Sequence, residues 1–431
     1  MEVRLKLHSR TTGIAVAAAA LLAAFAGGRL VLLQFAASVL SSPQYEVSTD
    51  RLSAAAAYYP DSAAIQARLA ARYVEIGLDE TVSQEELTRM ARTQAARAVN
   101  LSPWSYEACL LLATAEEMNG DPAAAEAMAR RAVTLAPHYP QVRWRLANLL
   151  IRNGRVSEAL TQIEPAVAAD RSLLPEAFNL LWNATGGRAE ILRPVAGNDP
   201  ERLIELAGFL LERSLPDEAV STFRQISRQD HLRLQGSGAF LNSLISRGDY
   251  QPAWKLWAEV LPEAAGAAPD QFWNGGFESL SPKGLAQFDW NIRESRFADF
   301  SLTEKVAHTG RRSLRIDFLG KDTTRLEGEI SHLLLLKPGK SYRLEFFVRT
   351  SGLETPEGPV VTVSSASDNV TLTRSRPIEA GTQEWKLYGA DFTVPANVTA
   401  LSVSLRRIPG FSYDDPTRGT IWLDDFSLRE L

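Results

Sequence analysis

The sequence predicts a multidomain α plus β protein: an all-α solenoid, then an antiparallel β-sandwich, with a transmembrane helix at the N-terminus. Three observations predict it. Residues recur every 34 positions in the first half, apolar and polar residues alternate in short runs from residue 271 onward, and an uncharged run lies close to the start. The expected domains are residues 1–40 (anchor or signal), 51–261 (solenoid), 262–270 (linker) and 271–431 (sandwich).

Small and apolar residues carry the repeat of the solenoid region. Leu112, Gly120, Ala125 and Ala132 are followed 34 residues later by Leu146, Gly154, Ala159 and Ala166. Self-similarity at this period indicates helical hairpins. Because one hairpin cannot bury its apolar face alone, neighbours must stack into a solenoid with a concave groove, which favours a binding partner over a reaction.

The order of these residues resembles the tetratricopeptide repeat, in which an apolar–small pair, a Gly turn, two small residues and a closing Pro follow one another. Five units are recognisable, the first interrupted by an insertion around Leu78 to Glu86, and an irregular hairpin occupies residues 175–200. The resemblance implies a protein partner in the groove. Arg143 and Arg145 are the candidate groove residues, and a solvated helix face is the alternative interpretation.

The N-terminus carries Arg4, Lys6 and Arg10 ahead of an uncharged run from Gly13 to Gly28. This layout is typical of a positive-inside membrane anchor or of a secretory signal. We expect a single-pass anchor in a bacterial inner membrane with periplasmic domains. A secreted or periplasmic protein, released by signal cleavage, is the alternative.

Composition and motifs argue against several classes of function. The chain has 46 Lys plus Arg against 51 Asp plus Glu, a net charge of -5, so it offers no bulk attraction for nucleic acid. Its single cysteine, Cys109, cannot form an intrachain disulfide. No zinc-ligand spacing, phosphate-binding loop or nucleophile elbow occurs in the sequence. We therefore expect a protein that is not an enzyme.

The C-terminal region changes to period-two alternation after the Pro- and Ala-rich residues 262–270. Runs such as 313–318, 342–348 and 401–405 alternate apolar and polar residues between turns, which predicts strands with one buried face. Together they predict one antiparallel sandwich.

Two motifs of this region, Asn274-Gly275-Gly276-Phe277-Glu278 near its start and Trp422-Leu423-Asp424-Asp425 near its end, resemble those of galactose-binding-like jelly rolls of carbohydrate-binding modules. The resemblance implies a structural Ca²⁺ ion held by Glu278, Asp425 and, as a further candidate, Asp424. The alternative is that the two aspartates cap a strand end or accept hydrogen bonds from loop amides.

Glycan binding would need exposed aromatic rings that stack on sugars. The candidates are Trp422, Trp385, Tyr388 and Tyr413. Trp422 is the strongest, because it alternates with Ile421 and Leu423 and must point to the opposite face of its strand.

The whole arrangement looks like repeat proteins associated with exopolysaccharide or O-antigen production. It implies a non-catalytic envelope scaffold that holds a protein of polysaccharide synthesis or export in its groove and contacts glycan through the jelly roll. The alternative is a glycan-modifying or glycan-degrading enzyme with its site on the concave face of the jelly roll. A third interpretation makes the jelly roll purely structural.

Overall fold

The computed structural model describes residues 10–42, 47–77, 84–264, 266–410 and 413–431. Its contacts divide the chain into two compact units, Met1–Val195 and Ala196–Leu431. This division does not fall at the linker predicted at residues 262–270. The second unit contains the last helices of the repeat region together with the sandwich.

The first unit is helical. Its described helices are α1 (Arg10–Ser41), α2 (Thr49–Tyr58), α3 (Ala63–Gly77), α4 (Gln84–Leu101), α5 (Tyr106–Met118), α6 (Pro122–Leu135), α7 (Pro140–Arg152), α8 (Val156–Ala169), α9 (Leu174–Thr185) and α10 (Arg193–Ala196). Two short 3-10 turns, Arg171–Leu173 and Ala189–Ile191, flank α9.

The apolar N-terminal run forms α1, a helix of 32 residues. Among the residues that the structure describes, no helix has the length and apolar character needed to cross a membrane. The transmembrane helix expected within residues 1–40 is therefore not supported. Arg4 and Lys6 lie outside the described residues.

The predicted hairpins are present, and small residues allow their helices to pack closely. Ala125, Ala132, Ala159 and Ala166 are all completely buried. Gly120, which ends the turn after α5, has a φ of 76°, a conformation that favours Gly because it has no Cβ. A side-chain oxygen caps the N-terminus of α5. The Ser105 hydroxyl accepts a hydrogen bond from the backbone N–H of Ala108.

The two irregularities predicted in the repeat region have clear structural outcomes. The insertion begins where α3 ends at Gly77, and residues 78–83 of it lie outside the described residues. The irregular hairpin of residues 175–200 begins within α9. This helix ends at Gly186, which has the left-handed conformation, and a 3-10 turn and the four-residue α10 follow it.

The second unit begins with helices α11 (Pro200–Glu212), α12 (Pro216–Phe223), α13 (Arg228–His231), α14 (Gln235–Ser246) and α15 (Tyr250–Val260). Its strands are β1 (Asn291–Ile292), β2 (Ala298–Thr303), β3 (Ser313–Leu319), β4 (Leu326–Leu335), β5 (Ser341–Glu354), β6 (Val360–Ser365), β7 (Thr371–Arg374), β8 (Gly381–Thr393), β9 (Ala400–Arg407) and β10 (Arg418–Glu430).

These strands form two five-stranded sheets, as the alternating runs predict. Sheet I has the order β1-β4-β9-β6-β7 and sheet II the order β2-β3-β10-β5-β8. All the pairings described are antiparallel. In β5 the buried residues Leu344, Phe346 and Val348 alternate with half-buried ones, so one side of sheet II faces the core and the other faces outward.

The helical hairpin α14–α15 packs directly on the segment that opens the sandwich. Trp257 of α15 is completely buried, and its indole N–H donates to the carbonyl of Leu285 over 2.7 Å. Its ring centroid lies 5.3 Å from that of Trp273 and 5.6 Å from that of Phe288. The last helices of this unit and the segment that opens the sandwich are therefore packed together around Trp257.

We predict that W257A lowers the free energy of unfolding of the second unit by about 3–5 kcal/mol, the usual cost of removing a large buried aromatic side chain. The part of the helical circular dichroism that α11–α15 supply should be lost together with the β-sheet signal in a urea titration, because α15 packs on the segment that opens the sandwich. W104A is the control, since Trp104 is 84% exposed and its loss should cost less than about 0.5 kcal/mol. A small loss in W257A would contradict the structural importance of this packing.

Candidate functional site

The outer side of sheet II carries a row of polar and aromatic side chains across four strands. Ser301 of β2 pairs with Arg315 of β3, Arg315 pairs with Trp422 of β10, and Trp422 pairs with Arg349 of β5. We call this row, Ser301, Arg315, Trp422 and Arg349, the tryptophan face. Residues in register on adjacent antiparallel strands point to the same side, so these side chains are neighbours.

Trp422 lies between two guanidinium groups. The Arg315 and Arg349 guanidinium carbons are 5.8 and 5.9 Å from the centre of its ring, within the range of cation–π attraction. Trp422 is 9% exposed, and its indole N–H has no hydrogen-bond partner among the residues that the structure describes. This donor is itself buried, so it faces the side chains packed around Trp422 and not the solvent.

Carboxylates orient both arginines. Nε of Arg315 lies 2.8 Å from Oδ2 of Asp317, and Asp317 also accepts a hydrogen bond of 2.6 Å from the hydroxyl of Thr420. Nη2 of Arg349 lies 3.3 Å from Oε1 of Glu384. The positive charges beside Trp422 are therefore balanced, and the face combines a ring with fixed polar groups.

A second aromatic group adjoins this face on β5 and β8. The imidazole of His308 stacks on Phe347 at 3.6 Å between ring centres, and Trp385 approaches the same imidazole edge-on at 5.6 Å. Trp385 and Phe347 are half-buried. Part of each ring therefore remains open to solvent.

The four residues predicted to bind glycan have different positions. Trp422 and Trp385 belong to sheet II. Trp422 points away from the core as predicted, because Ile421 and Leu423 are buried inside, but it is only 9% exposed and lies beneath Arg315 and Arg349, so it does not offer the exposed ring that the sequence predicted. Tyr413 is 73% exposed in the loop between β9 and β10.

Tyr388 is expected from the sequence to offer a stacking surface, and this prediction is wrong. The residue is 1% exposed, stacks on Phe346 in the core, and its hydroxyl accepts from the N–H of Glu379 and the side-chain amide of Gln383. The reason is strand parity: in β8 the adjacent Leu387 takes the outward position and is 47% exposed.

The carboxylates predicted to bind calcium converge where β10 meets the opening motif. A Cβ built on Gly276 would lie 3.4 Å from Oδ1 of Asp425, 3.6 Å from Oδ1 of Asp424 and 3.9 Å from Cγ of Glu278. A β-bulge between residues 424 and 427, in which Asp425 has a φ of 50°, turns both aspartates toward this point.

The oxygens of these carboxylates already accept hydrogen bonds. Oε1 of Glu278 accepts from the N–H groups of Arg311 and Arg312 at 2.7 and 2.9 Å. Oδ2 of Asp424 accepts from the N–H of His308 at 2.7 Å. Asp425 accepts from the His308 ring and from the Thr309 hydroxyl, each at 2.6 Å.

This arrangement agrees with the alternative in which the aspartates bond to loop groups. Among the described residues, no group of three or more His, Cys, Asp or Glu side chains is arranged to hold a metal ion. The three carboxylates therefore do not form a ready calcium site in this conformation, and calcium binding stays a prediction. Burial, to which the charge of Asp425 adds, raises the pKa of Asp424 to about 6.

The groove candidates both lie on α7. Nε of Arg143 donates to the carbonyl of Pro137 over 2.9 Å and Nη1 to Oε1 of Gln162 over 3.0 Å, so this side chain ties α7 to its surroundings. Arg145 is exposed. Helix α5 contacts both α3 and α7, which makes the first helices of three successive hairpins one continuous surface.

Sequence reasoning missed the residues that surround Trp422. Arg315 and Arg349 lie at outward positions of alternating strands, a pattern that is visible in the sequence. Their position beside Trp422 follows only from the register of β3, β10 and β5. His308 lies in a loop, where no periodic pattern could have marked it.

Comparison with known families supports both resemblances. Residues 116–181 match the model of the tetratricopeptide repeat, and residues 270–407 match that of a carbohydrate binding domain. The chain therefore contains a tetratricopeptide-repeat region and a carbohydrate-binding-module domain, as predicted. A comparison with curated proteins gives no match.

Solved structures of both types are similar to parts of the chain. One, described as "CBM4 structure and function", is 14% identical and covers 37% of this chain and 99% of its own, with a TM-score of 0.28. The structure of MamA is 16% identical and covers 47% and 90%, with a TM-score of 0.27. The CBM22-1 xylan-binding domain of Xyn10C from Paenibacillus barcinonensis is 17% identical and covers 36% and 91%, with a TM-score of 0.25. These TM-scores are too low for the likenesses to support a function.

We predict that acidification from pH 7 to pH 5 stabilises the second unit through Asp424. A carboxyl with a folded pKa near 6 and an ordinary value of 3.8 binds its proton more tightly in the folded state, so its contribution to stability rises as the pH falls through 6. Measured in EDTA, the difference in Tm between pH 5 and pH 7 should be about 2–4 °C smaller in D424N than in the parent. A calcium ion between the carboxylates would reverse this: calcium would raise the Tm at pH 7, and acid would lower it.

Proposed function

We propose that this protein is a non-catalytic adaptor that binds a protein through its helical repeats and a glycan through its sandwich. The matches to a tetratricopeptide repeat and to a carbohydrate binding domain support the two halves of the proposal. The observation that carries the glycan half is the outer side of sheet II, where Trp422 lies between two arginines and the half-buried rings of Phe347 and Trp385 lie beside His308.

The tryptophan face has the chemistry that sugars require. A pyranose offers apolar C–H faces to an aromatic ring and hydroxyls to charged and polar side chains. Here the guanidinium groups of Arg315 and Arg349 lie over the ring of Trp422, and Asp317 pairs with Arg315. The half-buried rings of Phe347 and Trp385 extend the surface along β5 and β8 and would contact further sugar units.

The continuous surface of α3, α5 and α7 is the proposed protein-binding element. It carries the exposed Arg145, and the loops that join its hairpins expose Trp104 and Tyr139, which are 84% and 54% exposed. Aromatic and arginine side chains dominate binding energy at protein interfaces. A partner with acidic side chains opposite Arg145 suits this surface.

The proposal assigns no reaction to the chain, because both matched families are binding domains. A contact that resembles a catalytic pair, His231 with Ser237 at 2.9 Å, is enclosed: Ser237 is completely buried and His231 is 3% exposed. The second ring nitrogen of His231 contacts the carbonyl of Phe223. The contact between His231 and Ser237 joins α13 to α14.

The proposal extends to compartment and process. We place the protein outside the bacterial cytoplasm, in the envelope, where it would hold a component of polysaccharide synthesis or export close to the glycan. The basic N-terminal residues followed by the uncharged run support export. Cell fractionation of a tagged full-length chain tests this placement, and recovery in the cytoplasm would overturn it.

W422A should weaken the affinity of the full-length protein for its polysaccharide at least tenfold, since Arg315 and Arg349 lose the ring that they pack on and about 1.4 kcal/mol of contact is lost. A panel of bacterial polysaccharides, measured by affinity electrophoresis and isothermal titration, checks this. W422F keeps a smaller ring between the two arginines, so its affinity should be intermediate.

W104A is the control for that experiment, because Trp104 is exposed in the other unit. Unchanged binding in W422A with an unchanged Tm would contradict the role of the tryptophan face. Release of reducing ends during incubation with the bound polysaccharide would overturn the non-catalytic assignment.

R145E should reduce crosslinked capture of the partner protein from membranes severalfold, because it reverses a charge on the surface formed by α3, α5 and α7. R89E is the matched control: Arg89 is equally exposed but lies on α4, the second helix of its hairpin. Equal losses in both variants would show that overall charge, and not this surface, determines capture.

A further inference from the structure

The loop that joins β2 to β3 brings a histidine onto the outer side of sheet II. We call residues 304–312 the His308 loop. The imidazole of His308 stacks on Phe347 of β5, although the loop starts and ends on β2 and β3. Since β10 lies between β3 and β5 in this sheet, the loop crosses β10 before it reaches Phe347.

Three side chains fix the orientation of the His308 ring. Phe347 covers one face, at 3.6 Å between ring centres and an angle of 15° between the planes. Trp385 approaches edge-on at 5.6 Å. Nδ1 lies 2.6 Å from Oδ2 of Asp425, and a flip of the ring would put a carbon atom in its place. The imidazole is therefore held in one orientation.

Asp425 also determines which ring nitrogen carries the proton. An ionised carboxylate oxygen can only accept, so the proton is on Nδ1, and Nε2 of the neutral ring has a lone pair. Nε2 makes no hydrogen bond with the described residues and is not one of the buried atoms that lack a partner, so it is open to solvent. The side chain of His308 is 25% exposed. The ring thus presents an acceptor at a fixed position.

The carboxylate of Glu278 holds the C-terminal end of the His308 loop. Its Oε1 accepts from the backbone N–H groups of Arg311 and Arg312 at 2.7 and 2.9 Å. Gly310 precedes them with a φ of 62°, a conformation that lets successive N–H groups converge on one anion. A Cβ on Gly310 would lie 2.2 Å from this oxygen, so a larger residue would displace the carboxylate.

His308 differs in chemistry from the charged groups of the tryptophan face. Arg315 and Arg349 supply only donors, and their guanidinium groups already pair with Asp317 and Glu384. Nε2 of His308 is an acceptor without a protein partner in the described part of the chain, and it lies beside two aromatic rings. A hydroxyl of a ligand that lies on these rings can donate to it.

We propose that His308 contacts the ligand of the outer side of sheet II and that its Nε2 accepts a hydrogen bond from a ligand hydroxyl. Asp425 and Glu278 are positioning residues, which act through His308. This inference rests on the proposed glycan-binding function and names residues that determine its selectivity. A ligand with no hydroxyl at this point would lose the bond.

The first test removes the acceptor and keeps the ring. The full-length parent and H308F are titrated calorimetrically in EDTA with dextran, xanthan, gellan and alginate. H308F can still stack on Phe347, and its affinity for the polysaccharide that the parent binds should fall about tenfold, which corresponds to about 1.4 kcal/mol. H138F is the matched control, because His138 is exposed in the first unit and its loss should leave binding unchanged.

D425N tests whether Asp425 acts through His308. An amide can donate as well as accept, so this variant no longer determines the position of the proton. Affinity should fall about as much as in H308F, and H308F/D425N should bind no more weakly than H308F alone. Spectra of protein labelled with ¹⁵N on its five histidines report the proton directly, with the His308 signal assigned by its loss in H308F. The parent should show a protonated Nδ1, D425N should shift the proton, and bound polysaccharide should shift the Nε2 signal.

G310A tests the support of the loop by Glu278. Its methyl group would displace the carboxylate, and the affinity should fall about as much as in H308F. G339A is the matched control: Gly339 has a φ of 77°, so the backbone strain is similar, but a Cβ there has no atom within 4 Å. The Tm of each variant shows whether it is folded.

The outcomes separate this inference from the proposed function. If W422A weakens polysaccharide binding and H308F does not, the role of His308 is excluded while glycan binding stands. Additive losses in H308F/D425N, or a His308 proton that moves when CaCl2 replaces EDTA, would overturn the role of Asp425. If the parent binds none of the polysaccharides, the proposed glycan function itself fails, and the contact assigned to His308 fails with it.

Discussion

The burial of Trp257 is the contact on which the form of the C-terminal unit depends. Its ring packs between Trp254, Trp273 and Phe288, and its N–H donates to the carbonyl of Leu285. An indole that loses water from all sides needs both apolar neighbours and an acceptor, and the segment before the sandwich supplies both. This contact holds the α14–α15 hairpin on the segment that opens the sandwich.

Close backbone contact at Gly238 reinforces the same junction. A Cβ at this position would lie 2.0 Å from the carbonyl oxygen of Gly284, and the side chain of Gln287 donates to the Gly238 carbonyl itself. A larger residue would separate the helix from the sandwich segment. The glycine is thus required for the close approach that orients Gln287.

In the sandwich, strand parity and register divide the aromatic residues into two groups with different roles. Tyr388 and Phe346 point inward and build the core, whereas Phe347 and Trp422 point outward and meet His308 and the arginines. A shift of one residue exchanges the two sides of a strand. The bulge between residues 424 and 427 also changes the direction of side chains, because it turns two consecutive aspartates toward Gly276.

The sequence by itself determined the elements that depend on local periodicity. The 34-residue repeat predicted the hairpins, because helix crossings need Ala159 and Ala166 at the same offset as Ala125 and Ala132, and alternation predicted the strands. The tertiary structure alone decided which side chains meet. Tyr388 lies in the core because it takes an inward position in the alternation of β8. Residues 262–270 do not separate the two compact units, because Trp257 is buried against the segment that follows them. Such pairings depend on contacts between residues far apart in the chain, which no local pattern encodes.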